Sequence, residues 1–355
     1  MITGQTNVLS MRTGAGCLAS AATGLGRFAV TTMDVPWALA RDRIAARPLA
    51  VVHVESMEWD VVERQLATLP ELDTVVAIGG GQACDLGKYF AWRRGCRLVT
   101  VPTVVSVDAF VTPAAAIRRN HRVEYLGTAS PDPLVIDYSL IRSAPAQLNI
   151  AGVGDILSIH TATCDWEIAH RAEKDVHGYN EPDVKSARAI VEMVEANADQ
   201  IRNVTDVGIQ TIVDACLRIN CVCLPKGHFR SEEGSEHFLF YELEERLKRP
   251  FIHGQIVGLG ICLLSRLQEN RPQWIAALMD RCGLAYQPAD LGISREALKA
   301  SLLNLRRYAL TTNLWHSVIQ EREITPSWVD LNLAGLRFPE EPPSARTQSG
   351  PGETA

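Results

Sequence analysis

Short apolar runs alternate with helix-like stretches up to about residue 138. FAVTTM (28–33) and PLAVVHVE (48–55) have the continuous apolar character of strands buried on both faces. A helical pattern runs from Glu58 to Leu69, and Val75, Val76, Ala77 and Ile78 make another buried strand. That strand ends in three consecutive glycines, a helical pattern continues to Arg94, and CRLVTVP (96–102) reads as strand again. This alternation predicts a parallel sheet with covering helices. AAAIRRNHRVEYLG (114–127) has two β-prone runs around Arg119, Asn120 and His121, which predicts a hairpin, and PLVIDYS (133–139) returns to a buried strand. From Ile150 the alternation disappears and long amphipathic or wholly apolar helical stretches follow to about Leu336. The expected organisation is an α/β domain over residues 1–148 and an all-α domain over 149–337. The segment 338–355, rich in Pro, Gly, Ser and charge, is expected to be a disordered tail.

A chain of 355 residues, 46% hydrophobic, buries a large core and suits two domains. Its formal charge is −6 with acids and bases interspersed, so neither a nucleic-acid nor an anionic-membrane surface is expected and the partner should be a small molecule. No apolar stretch approaches the roughly 20 residues that span a bilayer, and the start MITGQTNVLSMRTG lacks a basic region leading into an apolar core. A cytoplasmic protein is the expectation. Nine cysteines scattered from Cys17 to Cys282 fit reduced thiols, most of them small core residues. Cys221 and Cys223 form only a CxC within a helical pattern, a poor metal pair.

The glycine turn, Gly79, Gly80 and Gly81, is the first candidate site. Without side chains the chain turns sharply and presents bare N–H groups to an anion at the start of the next helix. Glycine-rich corners also arise for packing reasons, so this turn alone leaves both readings open. VPTVVSVDAFVTP, from Val101 to Pro113, follows a predicted parallel strand, so its polar residues emerge where ligands of open α/β sheets collect. Thr103 and Ser106 are candidates to bond a cofactor and Asp108 to orient a substrate hydroxyl; a Pro-initiated turn capped by Asp108 is the equal alternative.

In the helical half, Asp155 ends AGVGD, His237 lies in GSEHFLFYELE and His253 in FIHGQIVGLG. Singly, Asp155 reads equally as a helix N-cap, and each histidine as an ordinary core or surface residue. Together, one carboxylate and two imidazoles make a ligand set suited to a divalent transition ion, and with only three protein ligands coordination positions stay open for a substrate oxygen. The apolar stretch after His253 predicts a buried helix that walls the site. His160 is turned away from Asp155 on an ideal helix, His170 lies four turns along, and His228 is a minor candidate for reaching substrate.

Jointly these residues resemble the metal-dependent polyol dehydrogenases, a superfamily that includes glycerol dehydrogenase, sn-glycerol-1-phosphate dehydrogenase and the iron-type alcohol dehydrogenases, with dehydroquinate synthase as a relative. The similarity runs over about residues 25–270. GGGxxxDxxK is met by Gly79, Gly80, Gly81, Asp85 and Lys88, and PTxxSxDA by Pro102, Thr103, Ser106, Asp108 and Ala109. The resemblance implies a dehydroquinate synthase-like fold whose α/β domain binds the pyrophosphate of NAD or NADP on the glycine turn. It further implies cofactor contacts from Asp85, Thr103 and Ser106, and a substrate contact from Asp108. One divalent metal (Zn, Ni or Fe) is implied on Asp155, His237 and His253, with His253 also catalytic, together with a polyol or polyol phosphate substrate and a homodimer.

GVGD, the pair Asp165 and Trp166, and GSEH look most like the glycerol-1-phosphate branch; SVDA looks more like glycerol dehydrogenase or dehydroquinate synthase. FRSEEGSEH departs from the small residues and Pro usual before that motif, and Glu232 and Glu233 would repel a phosphate if they face the site, a solvated position being the equal alternative. Arg118, Arg119, Arg122, Lys226 and Arg230 are the available counter-charges. No GGKT follows the Asp108 loop, and Asp rather than Glu would bind metal, so a dehydroquinate synthase-like carbocycle-forming synthase ranks second. A catalytically degenerate nucleotide-binding protein is a further alternative.

Overall fold

Apolar runs of the first half become the strands of one sheet in the computed structural model, which describes residues 6–119 and 122–340. The strands are β1 (Met11–Gly14), β2 (Phe28–Thr32), β3 (Ala50–His53), β4 (Thr74–Gly79), β5 (Arg97–Pro102), β6 (Ala115–Arg119), β7 (Arg122–Leu126) and β8 (Pro131–Asp137). Six of them form a sheet in the order β1-β8-β5-β4-β2-β3, and every pairing in it is parallel. Residues of β2 and β4 are buried throughout, as their two covered faces require. β6 and β7 form a separate antiparallel hairpin, as the sequence predicts; Asn120 and His121 at its turn lie outside the described residues. β1 was not legible in the sequence. Its four residues MRTG are partly exposed at the sheet edge and pair with β8 from Met11↔Leu134 to Gly14↔Asp137.

The sheet reverses its winding between β2 and β4: the chain passes outward from β2 to β3 on one side and from β4 to β5 on the other. A crevice opens beyond the carboxyl ends at such a reversal. The turn leaving β4 enters α1 (Gly81–Arg94), closed by Gly95 at φ 61.

Beyond β8 the chain is helical. The elements that build the site are α2 (Ala146–Leu157), α3 (Ile159–Arg171), α4 (Asp206–Cys223), α5 (Ser235–Leu247) and α6 (His253–Gln268), with other helices between and after them. Along α6, Ile256, Val257, Leu259, Ile261, Leu263 and Leu264 are all fully buried, so this is the central helix of the second half. Asp206–Lys226 has a mean hydropathy of 1.5 over a membrane-spanning length, which corrects the expectation that no stretch approaches it; 61% of that window is buried inside the protein, as befits a core helix. The expected start of the tail is also corrected. Phe338 packs against the helical core with Arg295 4.4 Å from its ring centre, because an aromatic face is worth burying even in a polar segment. Residues 341–355 of the expected tail lie outside the described residues.

Candidate functional site

The glycine turn stands at the sheet reversal. Gly79 has φ +153, and a Cβ there would lie 2.6 Å from that of Ala83, so only glycine fits. Gly80 is the N-cap of α1; no side chain caps the first turn and it holds no acid, which leaves its leading N–H groups and the positive end of the helix for an anion. The β5 loop covers this turn. Thr103 N–H donates to the Gly79 carbonyl at 3.0 Å, and Val104 and Val107 pack on Gly80 and Gly81. Thr103 is buried and Ser106 half-buried in that loop. The Asp85 carboxylate is turned to the protein: it pairs with Lys88 Nζ at 2.8 Å and accepts from Ala116 N–H. Lys88 also donates to Thr112 Oγ1 and the Ala114 carbonyl, so the two residues tie α1 to the hairpin.

Four glycines in apolar helices set the other half of the site. A Cβ on Gly152 would lie 1.9 Å from the Val105 carbonyl oxygen, so α2 runs directly against the β5 loop. Asn149, which the sequence reading did not single out, fastens the same contact by accepting Val105 N–H and donating to the Ile141 carbonyl. Gly154 meets Gly254 at the start of α6, and Gly260 meets the backbone of Glu236 in α5. α2, α5 and α6 thereby approach at backbone distance.

Asp155, His237 and His253 come together where those helices meet. Asp155 Oδ1 lies 3.1 Å from His253 Nε2 and 3.4 Å from His237 Nε2, and the three donor atoms lie within 4.8 Å of one another. Asp155 is not the helix N-cap that the sequence also allowed; it lies in the last turns of α2, placed there by the glycines before it. The fit to a divalent ion is close: bonds of about 2.1 Å in a tetrahedron put ligand atoms ~3.4 Å apart. Burial pushes Asp155 up, but His253 and His237 pull its carboxyl well below the usual range. Burial opposes the charge on His237, and Asp155 and Glu236 overcome that to raise it well above an ordinary histidine.

Asp108 faces the same centre. Burial, then the charge of Asp155, pushes it up to about 7 against the pull of Lys88, and Asn220 Nδ2 lies 3.4 Å from its Oδ2. Ser158 Oγ donates to carbonyls of both Asp155 and Glu232, joining α2 to the turn before α5. Burial, then Asp155 and Asp108, raise Glu232 well above its usual range. Glu233 is raised by burial, opposed by His237 and reinforced by Asp155. Glu232 is buried and Glu233 half-buried in the turn before α5.

The rival histidines lie elsewhere. His160 Nε2 meets the Asn270 carbonyl, His170 stacks on Tyr179, and His228 packs against Trp166 and His177 with its Nδ1 accepting Arg230 N–H. Four of the five expected counter-charges are engaged away from Asp155: Arg118 with Glu244, Arg119 with Glu124, Lys226 with Asp183 and Arg230 with backbone carbonyls. Cys84 is buried and pushed to about 12 by desolvation, as an inert core thiol should be.

The profile of the iron-containing alcohol dehydrogenase family matches residues 15–145, the sheet that carries the glycine turn. Glycerol-1-phosphate dehydrogenase (NAD(P)+) of Hyperthermus butylicus is 29% identical over 262 residues, 74% of this chain and 73% of that protein. The enzyme of the same name from Halorubrum lacusprofundi is 29% identical over 285 residues, 78% of this chain and 81% of its own. Over its sheet this chain is similar to the iron-containing alcohol dehydrogenases, and over about three quarters of its length to glycerol-1-phosphate dehydrogenases. The fold is shared with solved structures over nearly the whole chain: a probable glycerol dehydrogenase from Sinorhizobium meliloti superposes with a TM-score of 0.67 at 24% identity, covering 92% of this chain and 96% of its own. An iron-containing alcohol dehydrogenase from Corynebacterium glutamicum reaches 0.70 at 13% identity, covering 94% and 96%.

Proposed function

We propose that this chain is an NAD(P)-dependent, divalent-metal-dependent oxidoreductase acting on the CH–OH group of a small polyol or polyol phosphate, most like glycerol-1-phosphate dehydrogenase. The observation that carries the reading is the convergence of Asp155, His237 and His253, from three helices, on one point beyond the carboxyl ends of the sheet. The curated relatives that carry that name support the substrate class.

In this reading Gly79, Gly80 and Gly81 seat the pyrophosphate on the uncapped start of α1, and Thr103 and Ser106 bond the cofactor from the β5 loop. Asp155, His237 and His253 hold the metal. When bound, a divalent ion supplies Lewis-acid stabilisation of negative charge developing on an oxygen, worth several kcal/mol. Asp108 orients the substrate hydroxyl, and the apolar wall of α6 keeps water from the reacting carbon. A nicotinamide cofactor seated there would supply the hydride acceptor for that carbon.

The test is reduced-cofactor absorbance with glycerol, glycerol 1-phosphate and dihydroxyacetone phosphate, using protein loaded in turn with Zn, Ni and Fe. Metal-dependent turnover of one of these supports the reading. Cofactor that stays unchanged with every substrate and metal refutes it.

A further inference from the structure

Beside the proposed metal centre lies a buried carboxylate whose hydrogen bonding the fold alone does not complete. Glu236 has no exposed surface. Its Oε1 accepts Gly234 N–H at 2.5 Å and lies 2.9 Å from His237 Nδ1, while Oε2 has no hydrogen-bond partner among the described residues. A second buried carboxylate, Asp165, is its neighbour: a Cβ on Gly234 would lie 2.8 Å from Asp165 Oδ2 and 3.0 Å from Glu236 Oε2. Asp165 is satisfied by the N–H groups of Ser235 and Val318. The cation buried nearby, Arg230, donates to the carbonyls of Asp165, Glu233 and His316 and packs over Trp315, pairing with neither carboxylate.

We infer that Glu236 is a positioning residue for the metal, an inference that rests on the proposed ligand role of His237. A carboxylate accepts only, so the proton of the imidazole is held on Nδ1 and Nε2 is left facing Asp155. The carboxylate on Nδ1–H makes Nε2 a stronger donor toward a cation held between His237, Asp155 and His253. The apparent defect in the packing is thereby part of the site.

The experiment compares Glu236→Gln and Glu236→Met with the wild type, each stripped with a chelator and titrated with Zn2+ against a chromophoric competitor. The Co2+ absorption spectrum and NAD affinity are recorded for each. Glu236→Met should weaken Zn2+ by about 10- to 100-fold and alter the Co2+ spectrum. Glu236→Gln, whose amide oxygen still accepts from Nδ1, should lose less, and NAD affinity should hold in both as evidence of an intact fold. Zn2+ affinities equal to wild type in both variants would overturn the inference and leave Glu236 a structural residue. A wild-type protein that takes up no metal would overturn the functional reading itself, and this inference with it.

Discussion

Gly154 and Gly254 face each other across the crossing of α2 and α6, where a Cβ on the first would lie 1.8 Å from the backbone oxygen of the second. A Cβ on Gly254 would in turn lie 1.7 Å from the Ala151 oxygen. These contacts are backbone to backbone, so no rotamer change relieves them. Gly154→Ala should destabilise the protein by about 3 kcal/mol or more and separate Asp155 from His253. Thermal melting together with metal retention checks this; a variant that melts like wild type and keeps its metal would contradict the close crossing.

His253 is half-buried at the first residue of α6, away from the glycine turn. Replacing it with Ala should abolish turnover while NAD binding stays largely intact. Wild-type turnover in His253→Ala would remove the residue from the mechanism.

The acid at the mouth of α5 bears on substrate choice. Glu233 acts on Asp155, His237 and Tyr241, whereas Arg118, Arg119, Lys226 and Arg230 are engaged elsewhere. At an effective dielectric of about 20, one unit charge acting across ~10 Å is worth on the order of 1–2 kcal/mol. Glu233→Gln should therefore raise kcat/KM for glycerol 1-phosphate by about five- to thirtyfold relative to glycerol. An unchanged ratio would show that this carboxylate does not meet the substrate.

Cofactor choice has a separate handle. Asp34 follows β2, the strand beside β4, and its carboxylate meets His53 Nδ1 at 2.7 Å. An acid at this end of a dinucleotide-binding sheet bonds a ribose hydroxyl and repels a 2′-phosphate. NAD should have the higher kcat/KM, and Asp34→Gly should narrow its lead over NADP; a wild-type preference for NADP would contradict this.

Continuous apolar runs made the sheet legible, because strands such as β4 are covered on both faces and tolerate no polar residue there. β1 carried no such pattern: MRTG sits at an edge, and its partner β8 is more than 100 residues away. The glycines of AGVGD and FIHG were visible as markers of something, yet their reason, close helix crossings, exists only in three dimensions. Glu236 was missed although it adjoins His237, because a glutamate on a helix ordinarily reads as surface. The signal that points to it is that a ligating histidine needs an acceptor for its other nitrogen. The fate of Asp85 was likewise hidden, since its pairing with Lys88 uses the same turn of α1 as the cofactor motif.

Metal stoichiometry decides whether Asp155, His237 and His253 share one divalent cation. Protein dialysed against Zn2+ and then metal-free buffer should retain about one equivalent per chain by elemental analysis, as a three-ligand site predicts, and Asp155→Ala and His237→Ala should retain far less. Wild-type protein without bound metal, or variants that hold as much as wild type, would contradict it.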